Sequence, residues 1–261
     1  VKIFVYYRYC LCHNNDKNRV EITMLNKIEE LAKIIEDSNN IVFFGGAGVS
    51  TESNIPDFRS SNGLWNEKLK IKFTPEQLVS HTFFMKYPEE FFSFYKDKLL
   101  YPHAKPNAAH TALAKLEEMG KVKAIVTQNI DGLHQVAGSK VVYELHGSVL
   151  RNYCMKCHTF YDENFILKSQ GVPTCPKCGG RVKPDVVLYE EGLDDGIISA
   201  STDAITNADT LIIGGTSLVV YPAAGLINYF RGTKLVLINK STTSADERAD
   251  LVIYDSIGKV L

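Results

Sequence analysis

The sequence predicts an α/β protein built on a doubly wound parallel sheet, with two inserted segments, one of them rich in cysteine. Short β-rich apolar runs alternate with helical patterns, and the first run leads directly into a glycine-rich turn. Two Cys-x-x-Cys pairs lie close together inside a stretch that breaks this alternation. We therefore expect one main domain with two smaller lobes set into it.

Composition limits the classes of function. The chain has 261 residues, of which 45% are hydrophobic and 23% are charged, as is usual for a globular protein with a full core. A net charge of −1 provides no basic field for a phosphate backbone, and no apolar run approaches the ~18 residues that span a bilayer. We expect a cytoplasmic protein that binds neither nucleic acid nor membranes directly.

The first predicted element is an amphipathic helix. Its apolar positions recur at helical spacing and are Leu25, Ile28, Leu31, Ala32 and Ile35. The polar cluster at 37–40 ends it. Residues 1–23, upstream of Met24, are interpreted as an N-terminal extension whose order the pattern does not establish, and Cys10 and Cys12 in it as plain thiols.

Apolar runs predict the strands of the sheet. Ile41–Phe44 is fully apolar and is followed by glycine, which is typical of a buried parallel strand that enters a tight turn. Similar runs lie at 123–126, 210–214 and 235–238, with helical patterns at 108–119 and 223–229 between them. The predicted main domain comprises residues 24–57, 107–150 and 184–261. The predicted insertions are residues 58–106 and 151–183.

The turn after the first strand is a candidate phosphate site. Gly46, Ala47 and Gly48 offer backbone N–H groups at a helix start, as dinucleotide sites do. Thr51 occupies the position of the third glycine of the usual fingerprint, so a structural turn without a ligand remains an alternative. The hydroxyls of Ser50 and Thr51 could bind phosphate. The loop at 56–59 (PDFR) combines an acid, an aromatic ring and a guanidinium, which could bind a nucleotide or form a charged loop around a core Phe.

The four cysteines predict a structural zinc site. The pairs Cys154/Cys157 and Cys175/Cys178 are separated by 17 residues, within the spacing of Cys₄ zinc lobes. Four thiolates complete a tetrahedron and leave no position for a catalytic water. A disulfide pair would need an oxidising compartment, and a redox dithiol needs one Cys-x-x-Cys, not two. His158 is interpreted as a surface residue.

Polar side chains follow two further strands. Gln128, Asn129 and Asp131 come after the strand at 124–126, at the sheet edge where ligands bind in such folds, and could bind ribose and nicotinamide. A capped turn is the alternative. His146 follows the predicted strand at 141–145, and imidazole is the side chain best suited to proton transfer at neutral pH. On this local evidence alone, a structural histidine would be the more common outcome.

Five motifs in order resemble the sirtuin family of NAD-dependent protein-lysine deacylases, in particular its short bacterial members. They are 45–59 (GGAGVSTESNIPDFR), 128–131 (QNID), 146–147 (HG), the four cysteines and 215–222 (GTSLVVYP). The resemblance extends from Met24 to the C-terminus. It implies a Rossmann-like NAD-binding domain, a zinc lobe with one structural Zn²⁺, a helical insertion at 58–106, and a cleft between them.

The resemblance also implies an activity and a set of site residues. Acyl groups of lysine side chains would pass to ADP-ribose, with NAD as co-substrate and with release of nicotinamide and O-acyl-ADP-ribose. His146 would be the general base, and Asn129 and Asp131 would act with it. The implied NAD contacts are Gly46, Ala47, Gly48, Thr51, Asp57, Phe58, Arg59, Gln128, Asn129, Ile130, Asp131, His146, Gly215, Thr216, Ser217, Asn239 and Ile257. The acyl-lysine peptide would add as a strand near Val187, Tyr189 and Val220.

Two departures from the family pattern bear on the substrate. Tyr189-Glu190-Glu191 stands where the family often has Phe-Gly-Glu. The Tyr-x-x-Arg pair of succinyl-preferring members is absent, so an acidic acyl group would lack its counter-charge and we expect acetyl or a longer neutral acyl group. The alternatives are ADP-ribosyl transfer to protein, a non-catalytic NAD or ADP-ribose module, and a dehydrogenase, which the missing third glycine disfavours. We expect a monomer that acts on acyl-lysine proteins.

Overall fold

A computed structural model describes residues 15–60, 63–64 and 73–261. The strands are β1 (Ile41–Gly45), β2 (Val122–Thr127), β3 (Val142–Glu144), β4 (Gly147–Cys154), β5 (Phe160–Tyr161), β6 (Val182–Val186), β7 (Thr210–Gly214), β8 (Lys234–Ile238) and β9 (Leu251–Ile253). The helices are α1 (Asn15–Asp37), α2 (Pro75–Leu78), α3 (His81–Lys86), α4 (Pro88–Lys98), α5 (Ala108–Glu118), α6 (Leu133–Val136), α7 (Glu163–Lys168), α8 (Asp195–Asn207) and α9 (Ile257–Val260). Short 3₁₀ helices include Ala47–Ser53 and Ala223–Tyr229.

The main sheet has six parallel strands in the order β3-β2-β1-β7-β8-β9. Counted within that sheet alone, the strands follow the order 3-2-1-4-5-6, which is the Rossmann arrangement. The predicted doubly wound fold is therefore confirmed. The chain leaves the sheet after β3, forms a second sheet in the order β5-β4-β6, and returns at β7.

The central strands β1 and β7 are buried on both faces, which explains their continuous apolar sequence. Val42 and Phe44 face a cluster completed by α8 and the 3₁₀ helix Ala223–Tyr229. Ile41 and Phe43 face the opposite cluster, completed by α1, α5 and α9. Because alternate side chains point to opposite faces, one short run supplies both cores. Full burial of each such side chain contributes about 1.5–3 kcal/mol.

Helix α1 begins at Asn15, inside the predicted N-terminal extension. The apolar repeat used for prediction starts near Met24 because the preceding residues are mostly polar. They contain no Gly or Pro, and a helix already packed against the sheet extends at little cost per residue. Cys10 and Cys12 lie outside the described residues. Within the described residues, no helix is long and apolar enough to cross a membrane.

The two insertions share an aromatic core. Helices α3 and α4 supply Phe84, Phe91 and Tyr95, whose rings lie 5.0–5.7 Å apart. The same cluster includes Cys154 and Cys175 of the second sheet's lobe, both buried. The segment at 58–106 therefore contains the helices α2, α3 and α4, and it packs directly on the cysteine lobe.

Candidate functional site

Every predicted catalytic, cofactor-binding and peptide-binding residue lines a single cleft of about 590 Å³. The cleft lies where the carboxyl ends of β1 and β7 meet, which is the point where strand order reverses and where such sheets bind ligands. The roles of the individual residues stay predictions. Their convergence means that a cofactor and a peptide could be bound side by side in this cleft.

The glycine turn forms the floor of this cleft. Gly48 N–H donates to the carbonyl oxygen of Gly215 at 2.8 Å, so the turns after β1 and β7 are in direct backbone contact. A Cβ atom on Gly48 would lie 2.7 Å from Cα of Gly215, closer than side-chain atoms approach. The turn continues into the 3₁₀ helix Ala47–Ser53, whose N-cap, Gly46, places no side chain over the helix start. At its start the turn therefore presents backbone atoms to a ligand in the cleft.

Ser50, predicted to bind phosphate, instead contacts two other side chains of the site. Its hydroxyl donates to Oδ2 of Asp131 at 2.6 Å and accepts from Nδ2 of Asn129 at 3.0 Å. The side chain is 1% exposed, so it fixes the two predicted catalytic residues and does not extend toward a phosphate. Thr51 Oγ1 donates to the carbonyl oxygen of Gly48 at 3.0 Å. Sequence reasoning missed this link because the partners lie 81 and 79 positions away.

Hydrogen bonds join the ends of four neighbouring strands around the cleft. Gln128, after β2, donates through its backbone N–H to the carbonyl of Gly45 in β1 at 3.0 Å. Its side-chain Nε2 donates to Oγ1 of Thr216, after β7, at 3.1 Å. Asn239, after β8, donates from Nδ2 to the carbonyl oxygen of Thr216 at 3.1 Å. Three of the predicted cofactor contacts, Gln128, Thr216 and Asn239, thus belong to one connected network.

His146 lies in this cleft in a defined tautomer. Its Nδ1 is 3.0 Å from the backbone carbonyl oxygen of Gln128, which can only accept, so Nδ1 carries a proton. The neutral ring therefore has its basic lone pair on Nε2. Burial lowers the pKa of His146 from its ordinary value of 6.5, against the opposing effect of the Gln128 carbonyl. The side chain is thus a neutral base at physiological pH.

Gly147 explains how the chain turns immediately after this histidine. Its φ is +73°, and a Cβ atom there would lie 1.8 Å from the carbonyl oxygen of Asp185. Only glycine permits β4 to begin at this point and to pair with β6. The glycine after His146 is therefore required for the position of the imidazole.

Two further histidines, His110 and His134, are buried behind Asp131. His110 and His134 are both fully buried, and their ring centroids are 4.7 Å apart. Burial lowers the pKa of His134 to about 3, with a further lowering by His110. Burial also lowers the pKa of His110, although the carboxylate of Asp131 opposes this. No role was predicted for His134, and His110 Nδ1 accepts from Asn107 N–H at 3.2 Å in the capping box that starts α5.

The loop at 56–59 (PDFR) is stabilised by hydrogen bonds to the carboxylate of Asp57. Asp57 Oδ1 accepts from the backbone N–H groups of Arg59 at 3.1 Å and Ser60 at 2.8 Å. Phe58 is half-buried and lines the cleft, so it is not a core residue of the main domain. Arg59 donates from its guanidinium to the Tyr189 hydroxyl at 3.3 Å. The loop therefore presents an aromatic face and a cation to the cleft.

The segment predicted to pair with a peptide is already hydrogen-bonded along one edge. Tyr189 N–H donates to Val79 O at 3.0 Å, and His81 N–H donates to Tyr189 O at 2.9 Å. Val187 N–H donates to the carbonyl oxygen of His146 at 3.0 Å. A peptide strand would have to use the remaining backbone groups of this segment and those near Val220.

Part of the cleft wall was not predicted. Lys98 and Tyr101 of the helical insertion, and Glu163 of the cysteine lobe, line it. Lys98 Nζ lies 3.5 Å from a carboxylate oxygen of Asp97, and burial raises the pKa of Glu163. The wall therefore carries an ammonium group already close to one carboxylate, and a second carboxyl group.

The four cysteines fit a tetrahedral metal ion. Their sulfur atoms all lie within 4.8 Å of one another, with Cys154 and Cys178 at 3.4 Å and Cys157 and Cys175 at 3.6 Å. Thiolates bound at about 2.3 Å to tetrahedral zinc are separated by about 3.8 Å. None of the four is in a disulfide, and the Tyr161 hydroxyl lies 3.0 Å from Cys175 Sγ, as an outer hydrogen bond to a thiolate does. His158 is exposed and outside the cluster.

Comparison with known proteins gives consistent relatives. The sequence matches the Sir2 family over residues 46–222. An NAD-dependent protein deacetylase of Clostridium perfringens is 78% identical over 239 residues, covering 91% of this chain and 98% of that protein. A Sir2 variant solved with a deacetylated p53 peptide and 3'-O-acetyl-ADP-ribose is 38% identical, with a TM-score of 0.82, over 89% of this chain and 94% of the other. A Sir2 complex with a p53 peptide and NAD⁺ is 39% identical, with a TM-score of 0.78 and the same coverage.

The cysteine cluster generates a prediction about folding. Cys175→Ala should lose bound zinc and the structure of the lobe, because structural zinc contributes on the order of 10–16 kcal/mol in comparable sites. His158→Ala should retain both, because His158 is outside the cluster. Zinc content per chain and the thermal unfolding midpoint measure this. Stoichiometric zinc in Cys175→Ala, or its loss in His158→Ala, would contradict the assignment.

Proposed function

The chain belongs to the Sir2 family, and on that premise we propose that it removes acyl groups from protein lysines at the expense of NAD. The acyl group would pass to ADP-ribose, and with the consumption of one water molecule this gives nicotinamide, free lysine and O-acyl-ADP-ribose. The observation that carries the proposal is the convergence of His146, Asn129 and Asp131 on the cleft floored by the glycine turn. Neighbouring strand ends hold these groups in fixed positions, as positional catalysis requires.

NAD would supply a ribose whose bond to nicotinamide breaks and whose hydroxyl groups then accept the acyl group. Nε2 of His146 is the lone pair available to take a proton from such a hydroxyl, because Nδ1–H is bound to Gln128 O. Ser50 holds Asp131 and Asn129 for contacts with the ribose and nicotinamide region. Phe58 lines the cleft where a reactive sugar must be kept from water.

The proposed setting is a monomer in the cytoplasm whose partners are acyl-lysine proteins. One chain supplies every residue assigned to the cleft, so no second subunit is needed to complete it. Four thiol groups that bind zinc persist best in a reducing compartment.

His146→Ala is the first test. The variant should bind ADP-ribose within about twofold of the unaltered protein, because the side-chain hydrogen bonds of Gln128 and Asn239 to Thr216 do not involve the imidazole. Deacetylation should fall by about a hundredfold or more, as expected on loss of a general base. Product formation from an acetyl-lysine peptide is the measurement, with His103→Ala, an exposed histidine outside the cleft, as the control. Near-normal turnover by His146→Ala would refute the role.

The pH profile is the second test. The neutral imidazole is the active form, so activity is present above the pKa of His146 and is lost as the pH falls through it. Because burial lowers this pKa, the acid limb of kcat/KM should lie below pH 6.5. The limb should be absent from the residual activity of His146→Ala. A limb centred above pH 7 would show that another group controls the acid side.

Acyl selectivity is the third test. Succinyl-lysine should turn over at least about tenfold more slowly than acetyl- or myristoyl-lysine, because an unpaired carboxylate in the cleft costs about 1–3 kcal/mol. Lys98 is already close to Asp97 and provides no bidentate fork. Rates on three matched peptides measure the difference, and Lys98→Arg should narrow it. Faster succinyl removal by the unaltered protein would contradict the prediction.

A further inference from the structure

The Tyr189 hydroxyl directly bridges the two halves of the cleft. Tyr189 belongs to the segment predicted to bind the peptide, and its hydroxyl accepts from the guanidinium of Arg59 at 3.3 Å. Arg59 belongs to the loop predicted to bind NAD. A phenylalanine, which the family often has at this position, could not make the bond.

The peptide side of this bridge is fixed. Glu191 accepts from Lys183 Nζ at 3.0 Å and from Leu188 N–H at 2.9 Å, and its other oxygen lies 2.8 Å from His81 Nδ1. These bonds close a tight turn at 188–191 that contains Tyr189. The backbone from which the phenol extends is therefore held in place.

Glu190 adds a second attachment at a strained position. Its φ is +76°, a left-handed conformation that favours glycine, and the residue carries a side chain there. Its carboxylate accepts from Thr82 N–H at the start of α3 at 2.8 Å. Departure from the family's Phe-Gly-Glu thus comes with two side-chain contacts, one from Tyr189 to the NAD loop and one from Glu190 to the helical insertion.

The loop side is organised locally. Asp57 Oδ1 fixes the backbone of Arg59 and Ser60, and Leu64 N–H donates to Asp57 O at 2.9 Å. These bonds fix the backbone of the loop. The direction of the long Arg59 side chain is set by contacts of the side chain itself. A side chain of that length loses much rotational freedom when one conformation is fixed.

We propose that Tyr189 is a positioning residue that holds the Arg59 guanidinium toward the NAD side of the cleft and so links the peptide segment to the NAD loop. The inference rests on the proposed function, since it assigns Arg59 to NAD and Tyr189 to the peptide segment. The expected signature is weaker use of NAD with an unchanged chemical step. In this proposal the hydroxyl acts through Arg59 and not by contact with the acyl group or the ribose.

Tyr189→Phe tests this with the loss of a single oxygen atom. The KM for NAD at saturating acetyl-lysine peptide should rise about three- to tenfold, the range expected for one hydrogen bond to a charged group that is partly screened by solvent. The kcat should change by less than about twofold. An interaction that stabilises bound NAD equally in the ground state and in the transition state affects KM and leaves kcat unchanged. Tyr229→Phe, an exposed tyrosine outside the cleft, is the matched control and should leave both constants unchanged.

A double-mutant comparison separates positioning from a structural effect. In an Arg59→Ala background, Tyr189→Phe should change the KM for NAD by less than about twofold, because its partner has been removed. Two results would overturn the proposal: an equal change in the KM for NAD in both backgrounds, or no change when Tyr189→Phe is made in the protein that retains Arg59. If the unaltered protein makes no O-acetyl-ADP-ribose, the proposed function itself fails, and that outcome is distinct from either result. Equal unfolding midpoints for Tyr189→Phe and Tyr229→Phe exclude a folding defect.

Discussion

The site depends on the parallel pairing of β1 with β7. Their register places Gly45 opposite Gly214, so both strands end at the same level and the following turns meet at Gly48 and Gly215. A side chain at either glycine would force the two turns apart. This contact positions the turn, and through the 3₁₀ helix that follows it positions Ser50 against Asp131. The pairing of these two strands therefore sets the positions of the predicted catalytic side chains.

The inserted lobes complete the cleft in a different way. Their aromatic core includes two of the four cysteines, so the proposed zinc site stabilises the lobe and also the helices that form the far wall. Tyr189 lies on the chain that returns from this lobe toward the main sheet, and it contacts the NAD loop. The cleft is thus formed where a sheet edge, a metal-held lobe and a loop come together, and side-chain hydrogen bonds link them.

Much of this was accessible from the sequence, for identifiable reasons. The strands at 41–45 and 210–214 could be predicted because a buried parallel strand is apolar on both faces, and the cysteine cluster because ligand spacing is nearly diagnostic. His146 could be placed at a strand end, but its tautomer depends on a carbonyl 18 residues away. Ser50 was misjudged and Glu163 was missed, because their surroundings come from distant segments that no local pattern reveals. The start of α1 at Asn15 was not predicted, because polar helical turns carry no apolar repeat.

The account's central claim is that this cleft consumes NAD to remove acyl groups from lysine. The most direct measurement is to incubate the zinc-loaded protein with NAD and an acetyl-lysine peptide and to quantify the products by mass spectrometry. The account predicts O-acetyl-ADP-ribose, nicotinamide and deacetylated peptide in equal amounts. Nicotinamide release without O-acetyl-ADP-ribose, with ADP-ribose attached to protein instead, would contradict it.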